Sequence, residues 1–491
     1  MRRVVAALAL ALLALGVPAA VAKTGAFGPQ PPLSSSGRWI TDKQGRVVIL
    51  HGLNMVNKRP PYLPAALGFG ADDATFLRRN GFNTIRLGLI YKAVEPRPGR
   101  FDSTYLKRTR RLERVLRRKG IFSLLDFHQD LYNEKFGGEG WPDWAVLDDG
   151  VPAEPLTGFP ASYITSPGLN RSFDNFWANA DGPGGVGLRD RYGAAWARVA
   201  KAFRRDPGVL GYDLLNEPWP GSTWSTCANT SGCTGFDRGS LAPMYRKVIQ
   251  QIRRVEKRHI VFYEPNVLFN FDANTTLRDL GFRNLGFSFH VYCLIGLVGG
   301  GAPGTCPELE QAVFSNADAH ARATADSLML SEYGATDDLT ALRRVAAAAD
   351  QHMVSWQEWH YCGCDDPTTQ GPGDVQALVK DPAKPPRGSN VFHGKLLALA
   401  RPYPQVIAGT PRRWSFDPVS RRFELVYDRR HVKGRGSFRR GVTDVFLPHI
   451  QYPKGARVRV KGASRTLAGQ HLLLVASPHA KRVKVTVAPK R

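Results

Sequence analysis

Beyond its first two dozen residues, the sequence has no apolar run long enough to span a bilayer. Residues 4–15 form an apolar run of about a dozen residues, which is too short for a comfortable membrane span. Arg2 and Arg3 precede this run, and Ala20-Val21-Ala22 forms an A-x-A cleavage signal. We therefore expect residues 1–22 to be a signal peptide, the mature chain to begin near Lys23 and the protein to be secreted. The alternative is a buried N-terminal helix.

Cysteine is scarce, and its spacing does not suit zinc. All six cysteines follow the predicted cleavage site, and they do not form the two C-x2-4-C pairs of a structural zinc site. An even count in an exported protein favours disulfides. Short loops would be closed by Cys227 with Cys233 and by Cys293 with Cys306, which leaves Cys362 and Cys364, whose bridge across one intervening residue would be strained. The connectivity stays open at this point.

Acidic residues are also few. The chain has 42 Asp and Glu against 67 Lys and Arg, for a formal net charge of +25. Residues 401–491 hold 21 Lys and Arg against 4 Asp and Glu. Such a segment favours an anionic partner, namely a membrane surface, a cell wall or an acidic glycan, and a solvated basic face is the alternative. No DNA- or RNA-binding motif accompanies the charge, so we expect no nucleic-acid partner.

The turn after the first apolar run lacks the glycine-rich sequence that an open dinucleotide-binding sheet would need. Instead, one theme recurs: an apolar run ends in polar or aromatic residues, and a helical segment or long loop follows. One such helix is predicted between a cap at Asp102 and a stop at Gly120. Eight repeats predict an α/β fold, a (β/α)8 TIM barrel. The apolar runs are 46–55, 83–90, 121–130, 209–218, 259–266, 285–292, 327–334 and 353–361.

From about Gly409 the pattern changes to short alternating runs that are separated by turns. This pattern is typical of an antiparallel β-sandwich. With residues 401–404 as the junction, we predict three segments: a signal peptide (1–22), a catalytic barrel (23–400) and a basic C-terminal β-sandwich domain (401–491).

Polar side chains collect where the predicted strands end, and this edge of a (β/α)8 barrel lines the active site. Two of them are carboxylates, Glu217 after the fourth run and Glu332 after the seventh, which should face each other across the opening. Two carboxylates about 5–5.5 Å apart are what retaining glycoside hydrolysis requires. The strand-end residues are His51, Asn54, Arg86, His128, Asp130, Asn216, Glu217, His290, Tyr292, Glu332, Trp359 and His360.

The neighbours of the two carboxylates suggest different roles. If Arg86 and Tyr292 lie beside Glu332, a cation and a donor should lower its pKa and keep it ionised and aimed. Glu217 has no cation beside it in the sequence and is the better candidate for an acid with a raised pKa.

These stretches resemble glycoside hydrolase family 5 and, within it, the secreted endoglycoceramidases of actinobacteria. The resemblance covers nearly all of the mature chain, and it implies that Glu217 is the acid/base and Glu332 the nucleophile. It is carried by HGLNMVNK (51–58), DFHQD (126–130), LLNEPWPG (214–221), FHVYC (289–293) and SEYGA (331–335). Substrate contacts are expected from Lys58, Arg86, His128, Asp130, Asn216, His290 and Tyr292. The last strand departs from the usual Tyr-Trp ending, so we assign sugar stacking to Trp359, with Trp356 as the alternative.

The resemblance implies a retaining endo-glycosidase that cuts between the oligosaccharide and the ceramide of glycosphingolipids. Alternatives are a β-glucanase or β-mannosidase type of enzyme, an enzyme directed to glucosylceramide or galactosylceramide, and a non-catalytic glycan-binding surface protein. We expect a monomer that touches a membrane or micelle transiently. We expect no cofactor and no metal, because two carboxylates suffice for the chemistry; a metal site at His128, Asp130 and His290 is the alternative.

Two regions suggest lipid contact without reference to the family. Residues 294–303 carry no charge and follow the sixth run, so they would lie at the rim of the site. A long insertion after the third run supplies aromatic rings that would stack on sugar or floor a lipid channel. Ordinary loop packing is the alternative for both regions. The rings of the insertion are Trp141, Trp144, Phe173, Phe176 and Trp177.

Overall fold

The computed structural model describes residues 28–293, 306–369 and 373–490; the predicted signal peptide and the apolar stretch 294–303 lie outside them. Eight parallel strands close into a barrel in chain order, which confirms the predicted fold. Their residues are buried throughout, as expected of strands that are covered on both faces. The barrel strands, numbered first to eighth, are His51–Met55, Thr84–Ile90, Phe122–His128, Val209–Asp213, Ile260–Tyr263, Leu285–Val291, Ser327–Tyr333 and Ser355–Glu358.

Helices surround the barrel, and one shows how its start is specified. The Asp102 side chain accepts hydrogen bonds from the backbone N–H groups of Thr104 and Tyr105 at 2.7 and 2.9 Å, which confirms the predicted cap. The fifth strand departs from the predicted repeat, because only a 3-10 turn, Val267–Phe271, follows it. The outer helices are Ala71–Arg79, Ser103–Arg118, Leu188–Phe203, Ala242–Val255, Cys306–Thr324, Leu339–His352 and His393–Leu399, and shorter helices include Tyr91–Val94, Ser162–Thr165, Pro167–Ala178, Trp224–Cys227, Thr234–Phe236 and Gly373–Gln376.

Two antiparallel sheets form the β-sandwich, and chain from both ends contributes to it. Val47 and Val48 pair with Ile407 and Val406, so three N-terminal strands join the seven-stranded sheet. This differs from the predicted boundary, which gave residues 23–400 to the barrel, because the first apolar run divides between the two domains. The seven-stranded sheet contains Ser34–Ser36, Trp39–Thr41, Val47–Val48, Tyr403–Ile407, Val442–Phe446, Ala463–Ala468 and His471–Ala476; the four-stranded sheet contains Thr410–Asp417, Arg422–Asp428, Ala456–Lys461 and Arg482–Pro489.

The sandwich packs against the amino ends of the barrel strands. His51, the first residue of the first strand, stacks between Trp356 and Tyr403, with ring centroids 4.2 and 3.7 Å away. The carboxylate of Asp350 accepts from Arg401 Nη2 at 2.6 Å and from Trp414 Nε1 at 2.8 Å. His51 and Trp356 therefore lie at the end of the barrel opposite the site. This differs from their predicted places, because the register of the strands puts both residues below the carboxyl ends.

Disulfides join all six cysteines. The two short-loop pairs, Cys227–Cys233 and Cys293–Cys306, form as proposed, and Cys362 bonds to Cys364. Across the described part of the chain, no helix has the length and apolar character needed to cross a membrane.

Candidate active site

The predicted pair of carboxylates meets at the carboxyl ends of the strands. Glu217 follows the fourth strand and Glu332 lies on the seventh. One oxygen of each carboxylate and a ring nitrogen of His290 lie within 4.8 Å of one another. Both glutamates line a cavity of about 660 Å³. So short a separation suits retaining rather than inverting hydrolysis, because an inverting pair must leave room for a water molecule.

Glu217 is held in an uncommon backbone conformation. Its φ of 47° lies in the left-handed region, which costs free energy for a residue with a Cβ. Its backbone N–H donates to Glu264 Oε2 at 2.9 Å. Its Oε1 lies 2.8 Å from His290 Nδ1 and accepts from Asn270 Nδ2 at 2.8 Å. The turn therefore aims the carboxylate into the cavity with two donors on one oxygen.

Arg86, on the second strand, organises the floor of the site. It is fully buried, and its guanidinium donates to Glu332 and, at 3.0 Å, to Asp213 Oδ2. Burial would lower the pKa of Arg86, but the surrounding carboxylates raise it well above its ordinary value. The guanidinium therefore fixes Glu332 and neutralises part of the buried negative charge. Its other partners are Asn54 Oδ1 at 3.3 Å, Asn216 Oδ1 at 3.0 Å, Glu264 Oε1 at 2.9 Å and Asp126 Oδ1 at 3.1 Å.

The predicted neighbours of Glu332 are present, but the predicted direction of its pKa is wrong. Tyr292 donates its hydroxyl to Glu332 Oε2 at 2.9 Å, beside the Arg86 bond. Burial is the largest influence and raises the pKa of Glu332, whereas His290 and Arg86 only partly lower it. The sequence suggested that a cation lies beside this carboxylate. It did not indicate how completely the strand end is shielded from water, and this shielding determines the direction of the pKa shift.

Two histidines carry positive charge in this site. Burial would lower the pKa of His290, but Glu264 and Glu332 raise it well above the ordinary value. Burial likewise opposes protonation of His128, but Asp126 and Asp130 raise its pKa to about 10. Both rings are therefore imidazolium cations near neutral pH, and their carboxylate partners hold them in place.

Lys58 forms a second buried charge cluster beside the glutamates. Its ammonium group lies 2.6 Å from Asp130 Oδ2, and the ring of Trp359 is 4.6 Å away. Burial opposes ionisation, but Lys58 and His128 lower the pKa of Asp130 to about 2. The structure thus brings together all ten residues predicted for catalysis and substrate contact. The predicted residues that line the cavity are Lys58, His128, Asp130, Asn216, Glu217, Tyr292, Glu332 and Trp359, with Arg86 and His290 behind them.

Several residues of the site were missed by the sequence analysis. Asp126, Asp213 and Glu264 surround Arg86, and Asn270 supports Glu217. Two of them left a signal in the sequence, because Glu264 ends the fifth apolar run in Tyr-Glu-Pro-Asn and Asp126 opens the DFHQD stretch. The apolar wall of the cavity was also missed. It is formed by Phe159, Tyr163, Ile164, Trp219, Trp224, Val267, Leu268, Phe271 and Val291.

The aromatic insertion after the third strand packs mainly on itself. Trp141 stacks on Tyr132 with ring centroids 4.3 Å apart and meets Phe173 and Phe176 edge-on. The predicted contact of these rings with sugar or lipid is therefore wrong, and ordinary loop packing is correct for them. Trp144 and Trp177 likewise donate their indole N–H groups to the backbone, to Glu95 O and Trp219 O.

Within the described parts of the chain, two groups of ligand-type side chains are close enough to hold a metal ion, but their chemistry does not favour one. In the group of His128, Asp130 and Glu139, the Lys58 ammonium already supplies the positive charge, 2.6 Å from Asp130 and 4.0 Å from Glu139. In the group of Glu217, His290 and Glu332, the raised pKa keeps His290 protonated, whereas a ligating imidazole must be neutral.

Comparison with known proteins agrees with this geometry. A family model described as cellulase (glycosyl hydrolase family 5) matches residues 42–365, and a glycoside hydrolase family 5 C-terminal domain matches residues 401–488. Endoglycoceramidase I of Rhodococcus hoagii (strain 103S) is 33% identical over 452 residues, which cover 90% of this chain and 84% of that protein.

Solved structures are similar over almost the whole chain. Endo-glycoceramidase II from Rhodococcus sp., solved as a lactosyl-enzyme intermediate, has a TM-score of 0.75 and 27% identity over 94% of this chain and 100% of that chain. The same protein in complex with ganglioside GM3 has a TM-score of 0.74 and 26% identity over 92% of this chain and 99% of that one. Fold, paired glutamates and both family matches together place this chain in glycoside hydrolase family 5, as a glycosidase.

Proposed function

We propose that this glycosidase is an endoglycoceramidase, which hydrolyses the β-glycosidic bond between the oligosaccharide and the ceramide of glycosphingolipids. The observation that carries the proposal is the mixed lining of the cavity around Glu217 and Glu332. The lining combines the polar groups of Lys58, His128 and Asp130, which suit the sugar part, with apolar side chains that suit hydrocarbon. The two Rhodococcus proteins reported above are named as endoglycoceramidases, and one of them was solved with ganglioside GM3.

The reaction would proceed by double displacement. Glu332 attacks the anomeric carbon, while Glu217 protonates the glycosidic oxygen that leaves with ceramide. The carbon–oxygen bond breaks, and the sugar becomes an ester of Glu332. Glu217, now a carboxylate, removes a proton from water, the water attacks the same carbon, and Glu332 departs. The bonds from Arg86 and Tyr292 support Glu332 as the nucleophile, because both donors stabilise its carboxylate.

Other side chains would orient the sugar. Asn216 donates from Nδ2 to Gln129 O at 3.0 Å and accepts from Arg86 at Oδ1, so its amide is fixed beside Glu217. We assign it the sugar 2-hydroxyl. Trp359 lies flat against the ring of His128, with centroids 5.1 Å apart, and we assign it the stacking contact with the sugar.

The test is a product analysis. The purified chain should convert lactosylceramide or GM3 into intact oligosaccharide and free ceramide, both detected by mass spectrometry. The Glu332→Gln variant provides the control for contaminating activity. Release of monosaccharides alone, or no ceramide, would contradict the proposal and leave a glycosidase of another specificity.

Two alternatives remain measurable in the same assay. A β-glucanase or β-mannosidase type of enzyme would cleave a soluble polysaccharide or its fragments faster than any glycolipid. A non-catalytic glycan-binding protein would show binding without turnover. The aliphatic side chains in the lining favour the glycolipid over both, because hydrocarbon packs on aliphatic surface whereas sugars bind to polar groups and aromatic rings. They are Ile164, Val267, Leu268 and Val291.

We further propose that the chain is a secreted monomer that touches membranes or micelles at the cavity rim. The signal peptide predicted at residues 1–22 and the three disulfides support secretion. Ile164, which lines the cavity, is 46% exposed and so carries the apolar wall to the surface. Polar substitution of Ile164 should lower the rate on vesicle-borne substrate more than on detergent-dispersed substrate. Activity unchanged by a chelator would agree with our proposal that no metal or other cofactor takes part.

A further inference from the structure

The two sheets of the sandwich lie at different distances from the barrel. Val48 forms one apolar cluster with Phe122 and Ile260, the first residues of two barrel strands. Its neighbour Val47 instead belongs to the core of the sandwich, together with Leu425 of the four-stranded sheet. Successive residues of a strand point to opposite faces, so the seven-stranded sheet lies between the barrel and the four-stranded sheet. The outer face of the four-stranded sheet is therefore directed away from the barrel, and the cavity opens at the other end of the molecule.

Cations occupy the outer face of the four-stranded sheet. In its edge strand, Ala456–Lys461, half-buried residues alternate with exposed ones, and the exposed residues are Arg457, Arg459 and Lys461. Lys461 lies directly opposite Lys484 of the neighbouring strand, which is also exposed. Like charges placed opposite each other destabilise a sheet. Folding alone therefore does not account for this pair of lysines, whereas a bound anion would.

The few acids of this face are already paired. Asp428 accepts hydrogen bonds from two arginines of the same sheet, at 2.6 and 2.8 Å. Glu424 likewise accepts from a neighbouring arginine, at 2.7 Å. Among the described residues, no carboxylate lies within ion-pair distance of Arg459, Lys461 or Lys484. Their charges are thus left for a partner outside the chain.

A hairpin loop, residues 429–440, extends the positive charge at one end of the sheet. It carries six Lys and Arg and no acid. The backbone N–H of Arg429 donates to Lys481 O at 3.3 Å, which holds the base of the hairpin beside the strand that contains Lys484. Arg435 at the tip is exposed. The exposed cations of this hairpin and of the two strands Ala456–Lys461 and Arg482–Pro489 are called the basic face.

The basic face does not suit a lipid bilayer. Membrane-surface segments combine basic residues with apolar side chains that enter the lipid. Among the described residues, the sandwich exposes two large apolar side chains, Val419 and Leu467, and neither lies on the basic face. A membrane bound here would also be at the wrong end of the molecule to deliver substrate to the cavity. Single-stranded nucleic acid is unsuited as well, because its bases stack on aromatic rings and the outward positions of the two strands carry none.

We propose that the basic face binds a linear polysaccharide that carries carboxylate groups, and that this polymer anchors the enzyme with its cavity directed away from the anchor. Arginine suits such a partner, because its planar guanidinium donates two parallel hydrogen bonds to one carboxylate. Cations at alternate positions of a strand lie in a row along which an extended polymer can run. The proposal goes beyond the proposed function and does not depend on which glycoside the cavity cleaves.

The experiment measures binding of the full chain to polygalacturonate by isothermal titration calorimetry, with neutral dextran as the uncharged control. Wild type should bind polygalacturonate and not dextran, and its affinity should fall as salt is added. The triple variant Arg457→Gln, Arg459→Gln and Lys461→Gln should bind about tenfold more weakly, because three surface contacts with the polymer are lost. All three side chains are exposed, so the melting temperature should stay close to that of wild type.

A matched variant separates a defined surface from general attraction to a basic protein. Lys107→Gln, Arg111→Gln and Arg118→Gln remove the same charge from exposed positions of the barrel helix Ser103–Arg118. This variant should change the affinity for polygalacturonate by less than about twofold, because nearby rather than net charge determines binding at physiological salt. Equal losses of affinity in the two triple variants would overturn the proposal.

Three further results would also overturn it. These are no binding of wild type to polygalacturonate, tighter binding to vesicles of phosphatidylcholine and phosphatidylglycerol, and tighter binding to duplex DNA. Both triple variants should hydrolyse lactosylceramide in detergent at the wild-type rate, because the changed residues lie far from the cavity. If wild type does not hydrolyse lactosylceramide, the proposed function fails, and the binding measurements still decide whether the basic face holds the polysaccharide.

Discussion

The two ends of the barrel contain buried histidines that differ in charge state. At the amino end, His51 lies between two aromatic rings, and burial, with Arg401, lowers its pKa well below the ordinary value. At the carboxyl end, His128 lies between two aspartates, and its pKa is raised to about 10. Both side chains are buried, so burial alone does not determine charge. The difference arises from the carboxylates that the strand mouths bring together.

A matched pair of carboxylates extends this comparison. Glu332 at the mouth and Asp350 at the amino end are both buried, and each meets a buried arginine, Arg86 or Arg401. Substitution should therefore separate activity from stability. We expect the charge at the mouth to serve the reaction and the charge at the amino end to hold the sandwich against the barrel.

The largest effect is expected for Glu332→Gln. If Glu332 is the nucleophile, as we propose, the rate on lactosylceramide should fall by at least about a thousandfold, because covalent catalysis is lost. The thermal midpoint should not fall in proportion, since the amide retains the shape and burial has already raised the pKa of this carboxyl. Steady-state rates and a melting curve on one preparation measure both. A rate within tenfold of wild type would remove Glu332 from the chemistry.

Asp350→Asn should give the opposite result. It leaves the Arg401 guanidinium without its charge partner in a buried interface, which predicts a loss of about 3 kcal/mol in the free energy of unfolding. The specific activity of the folded fraction should stay close to wild type, because the interface lies at the far end of the barrel. Denaturant melts and kcat on lactosylceramide measure the two quantities. A large loss of kcat at full folding would show that the two ends are coupled.

The same comparison shows what the sequence could and could not specify. Apolar runs predicted all eight barrel strands, and the residues Glu217 and Glu332 followed from strand order, because opposite strands meet at one mouth. Pairing between distant segments left no local signal: Val47 and Val48 resemble the start of a barrel strand but join the sandwich sheet. Thr368 and Asp366, which contact Lys58, likewise left no local signal, because they follow the eighth strand by about ten residues of irregular loop.

The direction of pKa shifts was the other quantity that sequence could not give. A cation expected beside a carboxylate predicts a lowered pKa, yet burial raises the pKa by an amount that depends on how the whole barrel closes. For Glu332 the effect of burial exceeds the opposite effect of His290 and Arg86. The pKa of Asp130 shifts in the opposite direction. Burial would raise it, but Lys58 and His128 outweigh burial and lower it to about 2.

A third test uses Glu358, the last residue of the eighth barrel strand. Glu358 is buried 3.6 Å from Lys395 Nζ, and burial raises its pKa to about 7 despite the lysine. The folded state therefore binds this proton more tightly than the unfolded state, whose pKa is near the ordinary 4.5. Stability from this group is full below pH 4.5 and is lost as pH rises through 7.

Glu358→Gln should remove that dependence. Gln resembles the protonated acid, so the variant and wild type should melt alike near pH 4.5, and the variant should gain on the order of 2–3 kcal/mol by pH 8. Melting curves across this pH range provide the measurement. A constant difference between the two proteins at every pH would mean that Glu358 does not titrate in the folded state over this range.

The smallest effect is expected at His51, and it gives the sharpest contrast between the ends. His51→Phe keeps a flat ring between Trp356 and Tyr403 and removes two buried ring nitrogens that have no hydrogen-bond partner among the described residues. Activity should stay within about twofold, and stability should be unchanged or slightly higher, because burying an unpaired polar atom is costly.

His128→Phe, at the other end, should lower kcat/KM about a hundredfold, since it removes a buried cation from beside Asp126 and Asp130. Assays of the two variants side by side on lactosylceramide would test whether charge state, rather than residue type, distinguishes the carboxyl end of the barrel from its amino end. Equal losses in both would mean that the amino end also shapes the reaction.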